Sequence, residues 1–310
     1  MRVVFMGTPE FAVPSLRAVH SAGFEVVGVA TAPDRPQSRG LKVRPSPVKE
    51  AALELGIDQV LQPESVRDPD FADAVRALKP DVIAVVAFRI LPPTVYETAP
   101  MGAFNLHGSL LPRYRGAAPI HRAVLNGDRV TGVTTFFLER KVDTGNVILR
   151  RVMTIGDEET TGEVYERMKI LGAEAVVETL RQIEKGEVTV EGQDESKATP
   201  APKVSVADAV IDWSLAAQAV HNHIRGYSPS PGAWTTFEGN RVKVFRSRIG
   251  ELDAVRGAPG TIHPVEDRLL VACRDGVVEL TELQMEGRKK TSGSSFLHGY
   301  RIQDGTRFGE

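Results

Sequence analysis

The order and texture of the apolar segments predict an α/β N-terminal domain followed by a small all-β domain. Three observations carry this. Residues 1–186 alternate short apolar runs with stretches of helical spacing. Those runs hold few polar residues, as in parallel strands covered by helices on both faces. After residue 190 the texture changes to short β-like runs separated by Gly and Asp-Gly turns. That spacing fits a barrel or sandwich of about 100 residues.

Taken in order, residues 3–6 form a strand closed by Gly7, and residues 11–22 have helical spacing. Residues 26–30 are a second strand. Ser46 is placed to cap a helix with Pro47 at its first position and Gly56 just past its end. Residues 82–87, 103–107 and 133–138 read as further strands, and 160–184 as a long helix ending at Gly186. Residues 191–203 are polar, hold two prolines and show no periodicity. Residues 190–204 therefore read as a linker between domains at 1–189 and 205–310. In the second domain 215–225 is helical, and 233–237, 242–247, 268–273 and 277–282 are strands.

Composition excludes several classes. The 310 residues are 42% hydrophobic and 25% charged, with a net charge of −2, so there is no global signature of a nucleic-acid binder. The single cysteine, Cys273, forbids an intramolecular disulfide or a Cys-rich metal site, and its apolar neighbours mark it as an inert core thiol. No apolar run approaches the ~20 residues of a membrane span. The chain opens directly on a strand, so a bacterial cytoplasmic location is expected. No cluster has metal-ligand spacing. His221-Asn222-His223 lies in a helical pattern where adjacent side chains diverge, which favours packing over metal binding.

The candidate chemistry sits at 105–116, Asn-Leu-His-Gly-Ser-Leu-Leu-Pro-Arg-Tyr-Arg-Gly. On a strand, Asn105 and His107 project from one face. An amide and an imidazole at the carboxyl end of a strand in an open α/β sheet can bind a carbonyl oxygen that becomes an oxyanion. Asp143, at the end of another strand region, is a candidate orienting carboxylate. Ser109 lies outside a nucleophile elbow, so direct transfer to an external acceptor fits better than a covalent intermediate. Gly7-Thr8-Pro9-Glu10 lacks dinucleotide glycine spacing; a structural turn or a substrate-edge contact is expected there. The long 34–49 connection carries Arg35, Arg39, Lys42, Arg44 and Lys49, suited to a phosphate backbone. Arg241, Lys243, Arg246 and Arg248 suggest a second basic face.

These residues together resemble the methionyl-tRNA formyltransferases along essentially the whole chain. The resemblance is carried by Gly7-Thr8-Pro9-Glu10-Phe11-Ala12, by Pro33-Asp34-Arg35-Pro36 through Pro45-Ser46-Pro47-Val48-Lys49, and by the 105–112 segment. Arg115-Gly116-Ala117-Ala118-Pro119-Ile120, Val142-Asp143-Thr144-Gly145 and Ile211-Asp212-Trp213-Ser214 extend it. The Asn-x-His and Asp set alone marks only the wider formyl-transferring family; the basic loop points to the tRNA enzyme. The resemblance implies a Rossmann-like first domain and an OB-like β-barrel. It implies 10-formyltetrahydrofolate as donor and the α-amino group of initiator Met-tRNA as acceptor; no metal, no membrane partner and a monomer are the accompanying expectations. Asn105, His107 and Asp143 match the catalytic positions. Val86, Phe88, Ile90 and Leu91, with Ser109, Leu110, Leu111 and Pro112, would border the folate. Arg39, Lys42, Arg44, Lys203, Arg241 and Lys243 would contact tRNA. A sugar-nucleotide N-formyltransferase is the alternative. The 87–92 segment is shorter here than is usual in the family, and Ser228-Pro229-Ser230-Pro231 lacks a frequent tryptophan.

Overall fold

The computed structural model describes residues 1–37, 42–251, 257–300, 302–303 and 305–309. Two compact units emerge. One comprises Met1–Pro119, Thr131–Met153 and Tyr165–Ala201; the other comprises Ile120–Val130, Thr154–Val164 and Pro202–Glu310.

In the first part of the chain the elements run β1 (Arg2–Gly7), α1 (Val13–Ser21), β2 (Glu25–Ala30), β3 (Arg35–Gln37), β4 (Lys42–Arg44), α2 (Pro47–Glu54), β5 (Val60–Leu61), α3 (Pro69–Ala77), β6 (Val82–Val86), α4 (Pro93–Tyr96), β7 (Ala103–His107), α5 (Pro119–Leu125), β8 (Val130–Phe137), β9 (Val147–Thr154) and α6 (Thr161–Lys185). The sheet has the order β5-β2-β1-β6-β7-β8-β9. β1 pairs in parallel with β2 and β6, and β6 with β7. β8 runs antiparallel to β7, so the expected parallel sheet is mixed at this side, a common arrangement in large α/β sheets. Val3, Val4, Phe5 and Met6 are fully buried, which is why the first strand is apolar on both faces. As expected, Ser46 caps α2 by accepting the Lys49 amide. Residues 10–12 form a 3₁₀ turn ahead of α1, so that helix starts later than its spacing implied. β5 and β9 went unforeseen. β5 has only two residues, and β9 carries Arg150 and Arg151 in its middle.

The chain steps outward from β1 to β2 and β5, then returns to lay β6 on the other side of β1. The sheet order therefore reverses between β1 and β6, the place where open α/β sheets bind ligands. Gly7 is opposite Val86 at this edge. A Cβ on Gly7 would lie 2.7 Å from the Ala12 Cβ and 2.9 Å from the Val86 carbonyl, so glycine lets the turn close down onto β6.

The second unit adds α7 (Ala217–Tyr227), β10 (Ala233–Phe237), β11 (Asn240–Gly250), β12 (Ile262–Val265), β13 (Arg268–Ala272), β14 (Val277–Met285), β15 (Thr291–Ser292) and α8 (Gly293–Gly299). Its antiparallel sheet has the order β10-β11-β14-β13-β12, with β15 alongside β14. α7 buries Val220 and Ile224 among Val242, Val244, Leu269, Val271, Val278 and Leu280. Phe237, Phe296, Phe308 and Trp213 form an aromatic cluster, with ring centroids 5.2 Å apart for Phe237–Phe296 and 5.9 Å for Trp213–Phe308. Each such ring contributes about 2 kcal/mol through burial. Cys273 is 4% exposed, and burial pushes its thiol up to about 12. β12 was missed because Pro264 interrupts it, which an edge strand tolerates.

The polar stretch after residue 190 is paired through its backbone. Glu191 exchanges hydrogen bonds with Val147 at 2.8 and 2.9 Å, and Thr199 and Ala201 bond to the Arg115 backbone at 2.8 and 2.6 Å. Single bridges of this kind need no periodicity, so composition does not reveal them. No helix among the described residues is long and apolar enough to cross a membrane.

Candidate active site

β7 ends on the motif. Asn105 is opposite Val85 of β6 and Phe136 of β8, and His107 is opposite Thr134. The two side chains leave one face of the strand, as their spacing predicts. His107 is 6% exposed. Its Nε2 lies 2.8 Å from the Tyr114 carbonyl oxygen. A carbonyl only accepts, so Nε2 carries the proton and Nδ1 is left for chemistry. Nδ1 faces Asp143 Oδ2 at 3.9 Å, an ion-pair separation rather than a hydrogen bond. Asn105 is half-buried, and among the described residues its amide has no hydrogen-bond partner, which leaves it available to a ligand.

The loop after β7 folds back on itself. Ser109 Oγ donates to the Arg113 carbonyl at 2.6 Å, and Thr134 Oγ1 donates to the Ser109 carbonyl at 2.7 Å while accepting the Leu111 amide at 3.0 Å. This delivers the Tyr114 carbonyl to His107 and the Gly116 amide to Asp143, whose Oδ2 accepts it at 2.9 Å. Gly116 has φ +123°, and a Cβ there would meet the Ala201 carbonyl at 2.7 Å.

Asp143 sits in the left-handed region with φ 56°, a conformation that requires outside support in a non-glycine residue. Gln193 supplies it. Its Nε2 donates to the carbonyls of Asp143 and Gly145, both at 2.9 Å. Its Oε1 accepts from Arg115 Nε and Nη2 at 3.1 and 2.8 Å. Arg115 also pairs with Glu195. Tyr114, Gly116 and Gln193 were missed by sequence reasoning. The first two act through backbone groups, and Gln193 lies in an aperiodic polar stretch that offers no signal.

The residues expected at the folate are unevenly disposed. Val86 is fully buried in the sheet, Leu91 is 7% exposed, and Phe88 packs on the same core. Ile90 is 69% exposed. Ser109 is buried, Leu111 is buried against Phe136 of β8 and Val147 of β9, and Leu110 and Pro112 are half-buried. Arg89 fastens this segment by donating to the carbonyls of Glu64 and Pro63 at 2.9 and 2.8 Å.

Among the basic residues, Arg39 lies outside the described residues, and Lys42 is described only through its backbone, which pairs with Gln37 in the β3–β4 hairpin. Arg44 is exposed. Lys49 is used internally: its Nζ donates to Asp34 Oδ2 and Gln62 Oε1, both at 2.7 Å. Hydrogen bonds from Lys49 and Gln62 hold the Asp34 carboxyl below its usual range. In the second unit Lys203 is exposed. Arg241 stacks 4.1 Å over the Trp234 ring, and Lys243 donates to the Pro231 carbonyl at 2.9 Å. His221 bonds to Ser247 and to the Asp157 carbonyl, each at 3.0 Å, a packing role as expected.

Comparison with known proteins adds an independent line. Residues 1–180 match the formyl transferase family model, and 203–301 match the formyl transferase C-terminal domain. A methionyl-tRNA formyltransferase of Chlorobium luteolum is 53% identical over 306 residues, 97% of each chain. One of Chlorobium phaeovibrioides is 50% identical, covering 100% of this chain and 98% of the relative. The fold is similar to the crystal structure of an N-formyltransferase from Helicobacter canadensis in complex with folinic acid and dTDP-3-aminofucose. That match has a TM-score of 0.69 at 18% identity, covering 93% of this chain and 99% of that one.

Proposed function

The chain belongs to the methionyl-tRNA formyltransferases of the formyl transferase family, and from that premise we propose that it transfers the formyl group of 10-formyltetrahydrofolate to the α-amino group of methionine on initiator tRNA. The observation that carries the chemical reading is the unpartnered Asn105 amide beside a His107 whose Nε2 is already tied to a carbonyl. An α-amino group titrates near ~8, so a useful fraction is neutral and nucleophilic at physiological pH.

The amine attacks the formyl carbon to form a tetrahedral intermediate, which collapses by breaking the bond from that carbon to the folate N10. The Asn105 amide donates to the oxygen as it becomes an oxyanion, an interaction worth about 3 kcal/mol. His107 Nδ1 exchanges the proton that the amine loses and the folate N10 gains. Asp143 stabilises the imidazolium that forms in between. No covalent enzyme intermediate is needed. The catalytic work falls to the first domain, and tRNA binding to the 34–49 loop, Lys203 and the second domain, where Arg241 and Lys243 lie.

The acceptor is tested by incubating the protein with 10-formyltetrahydrofolate and, in parallel, initiator Met-tRNA, an amino-sugar nucleotide or buffer. Tetrahydrofolate is expected only with Met-tRNA. Turnover with the sugar nucleotide alone would replace this reading by the alternative one.

Gln193 is a positioning residue in this scheme, since it holds the Asp143 turn without reaching the reacting atoms. Gln193→Ala is expected to lower kcat about tenfold, the scale of losing a partner that orients a functional group. KM for tRNA should stay unchanged. Steady-state kinetics beside a thermal melt would check this, and an unchanged kcat would remove Gln193 from the mechanism.

A further inference from the structure

The second unit contains a cavity of 240 Å³ whose lining includes Glu158, Thr160, Arg225, Arg246, Arg248 and Thr281. With Ser247, three guanidinium groups and three hydroxyls line it beside a single carboxylate. Arg246 and Arg248 come from β11, opposite Glu282 and Glu279 of β14. The register shifts between Val244 and Arg246, so Phe245 is an extra residue in the strand. Such a bulge moves the side-chain alternation by one position. Lys243, Arg246 and Arg248 therefore leave one outward face, while Val242 and Val244 stay fully buried.

Arg225 arrives from α7 and is 4% exposed. Its Nε donates to Asn222 Oδ1 at 2.9 Å, and its Nη1 donates to the carbonyls of Gly156 and Glu159 at 3.3 and 3.1 Å. Among the described residues none of its hydrogen-bond partners is a carboxylate, and Nη2 has no partner. The carboxylates of Asp157 and Glu159 act on it through space, without a hydrogen bond to it. A buried charge satisfied by neutral oxygens alone is costly unless an anion joins it. Arg246 and Arg248 are held by Glu163 at 2.5 Å and Glu279 at 3.0 Å, which fixes their positions around the opening.

We propose that this cavity is a phosphate subsite that seats one backbone phosphate of the tRNA, an inference that rests on the tRNA reading above. Guanidinium forks match two phosphate oxygens at once, and the Thr281 hydroxyl adds a donor; the Thr160 hydroxyl already donates to Glu163 at 2.8 Å. Glu158 is the opposing charge, which makes the site testable in both directions.

The test is binding of fluorescein-labelled initiator tRNA, and separately of inorganic phosphate, to the full chain and to Glu158→Gln and Arg248→Gln. Arg248→Gln leaves Glu279 paired with Arg268 at 2.8 Å, and Glu158 is exposed, so both variants should fold, as a thermal melt would verify. Glu158→Gln is expected to lower the Kd for tRNA roughly fivefold and Arg248→Gln to raise it roughly fivefold, the scale of one partly exposed ion pair. Arg248→Gln should also reduce the slope of log Kd against log salt by about one. Unchanged tRNA affinity in both variants overturns the proposal. If inorganic phosphate binding follows the substitutions while tRNA affinity does not, the subsite belongs to a free anion and the tRNA assignment falls. Failure of the unaltered protein to bind tRNA would instead refute the reading on which the proposal rests.

Discussion

His107→Ala is expected to lower kcat about 10³-fold, the middle of the range that a positioned proton-transfer group contributes, with the Kd for tRNA nearly unchanged. The prediction follows from the tautomer. Nε2 is bonded to the Tyr114 carbonyl at 2.8 Å, so all proton exchange falls on Nδ1. Alanine removes both the reactive nitrogen and the bond that anchors the loop, and a lost buried hydrogen bond costs about 1–3 kcal/mol. A second variant separates these effects. His107→Gln can place an amide N–H near Nε2 while supplying no base at Nδ1. Single-turnover rates with Met-tRNA, beside thermal melts, should show both variants slow but the glutamine variant better folded. A glutamine variant of near-normal rate would show that His107 serves only to hold the loop.

Asn105→Ala should reduce kcat by about 10²–10³, the measured scale for losing one oxyanion donor. The Asn105 amide has no hydrogen-bond partner among the described residues, so its removal strands no protein group and stability should change little. KM for the folate donor should also move little, because the interaction strengthens only as charge develops on the oxygen. Single-turnover formylation would read this directly. A loss confined to KM would make Asn105 a ground-state binding group instead.

Much of this site was legible because Asn105 and His107 are two residues apart on one strand, and strand geometry alone puts them on one face. Asp143 was legible only as a candidate. Its approach to His107 depends on the Gly116 amide, on a left-handed backbone at Asp143 itself and on Gln193, fifty residues further along the chain. None of these leaves a periodic trace. The basic loop was read as cationic, yet Lys49 proved to be bound up with Asp34 and Gln62. Composition counts charges without knowing which already have partners.

The sequence by itself determined the α/β-then-β order, the Ser46 cap of α2, most of the buried strands and the Asn105–His107 pair, because each depends on local spacing or on one residue's conformational preference. Only the tertiary structure decided the reversal of sheet order at β1 and β6, the His107 tautomer, the support of Asp143 and the gathering of Arg225, Arg246 and Arg248. Each of these joins residues far apart in the chain, through backbone groups or a strand bulge, and no local pattern of side chains encodes such a meeting.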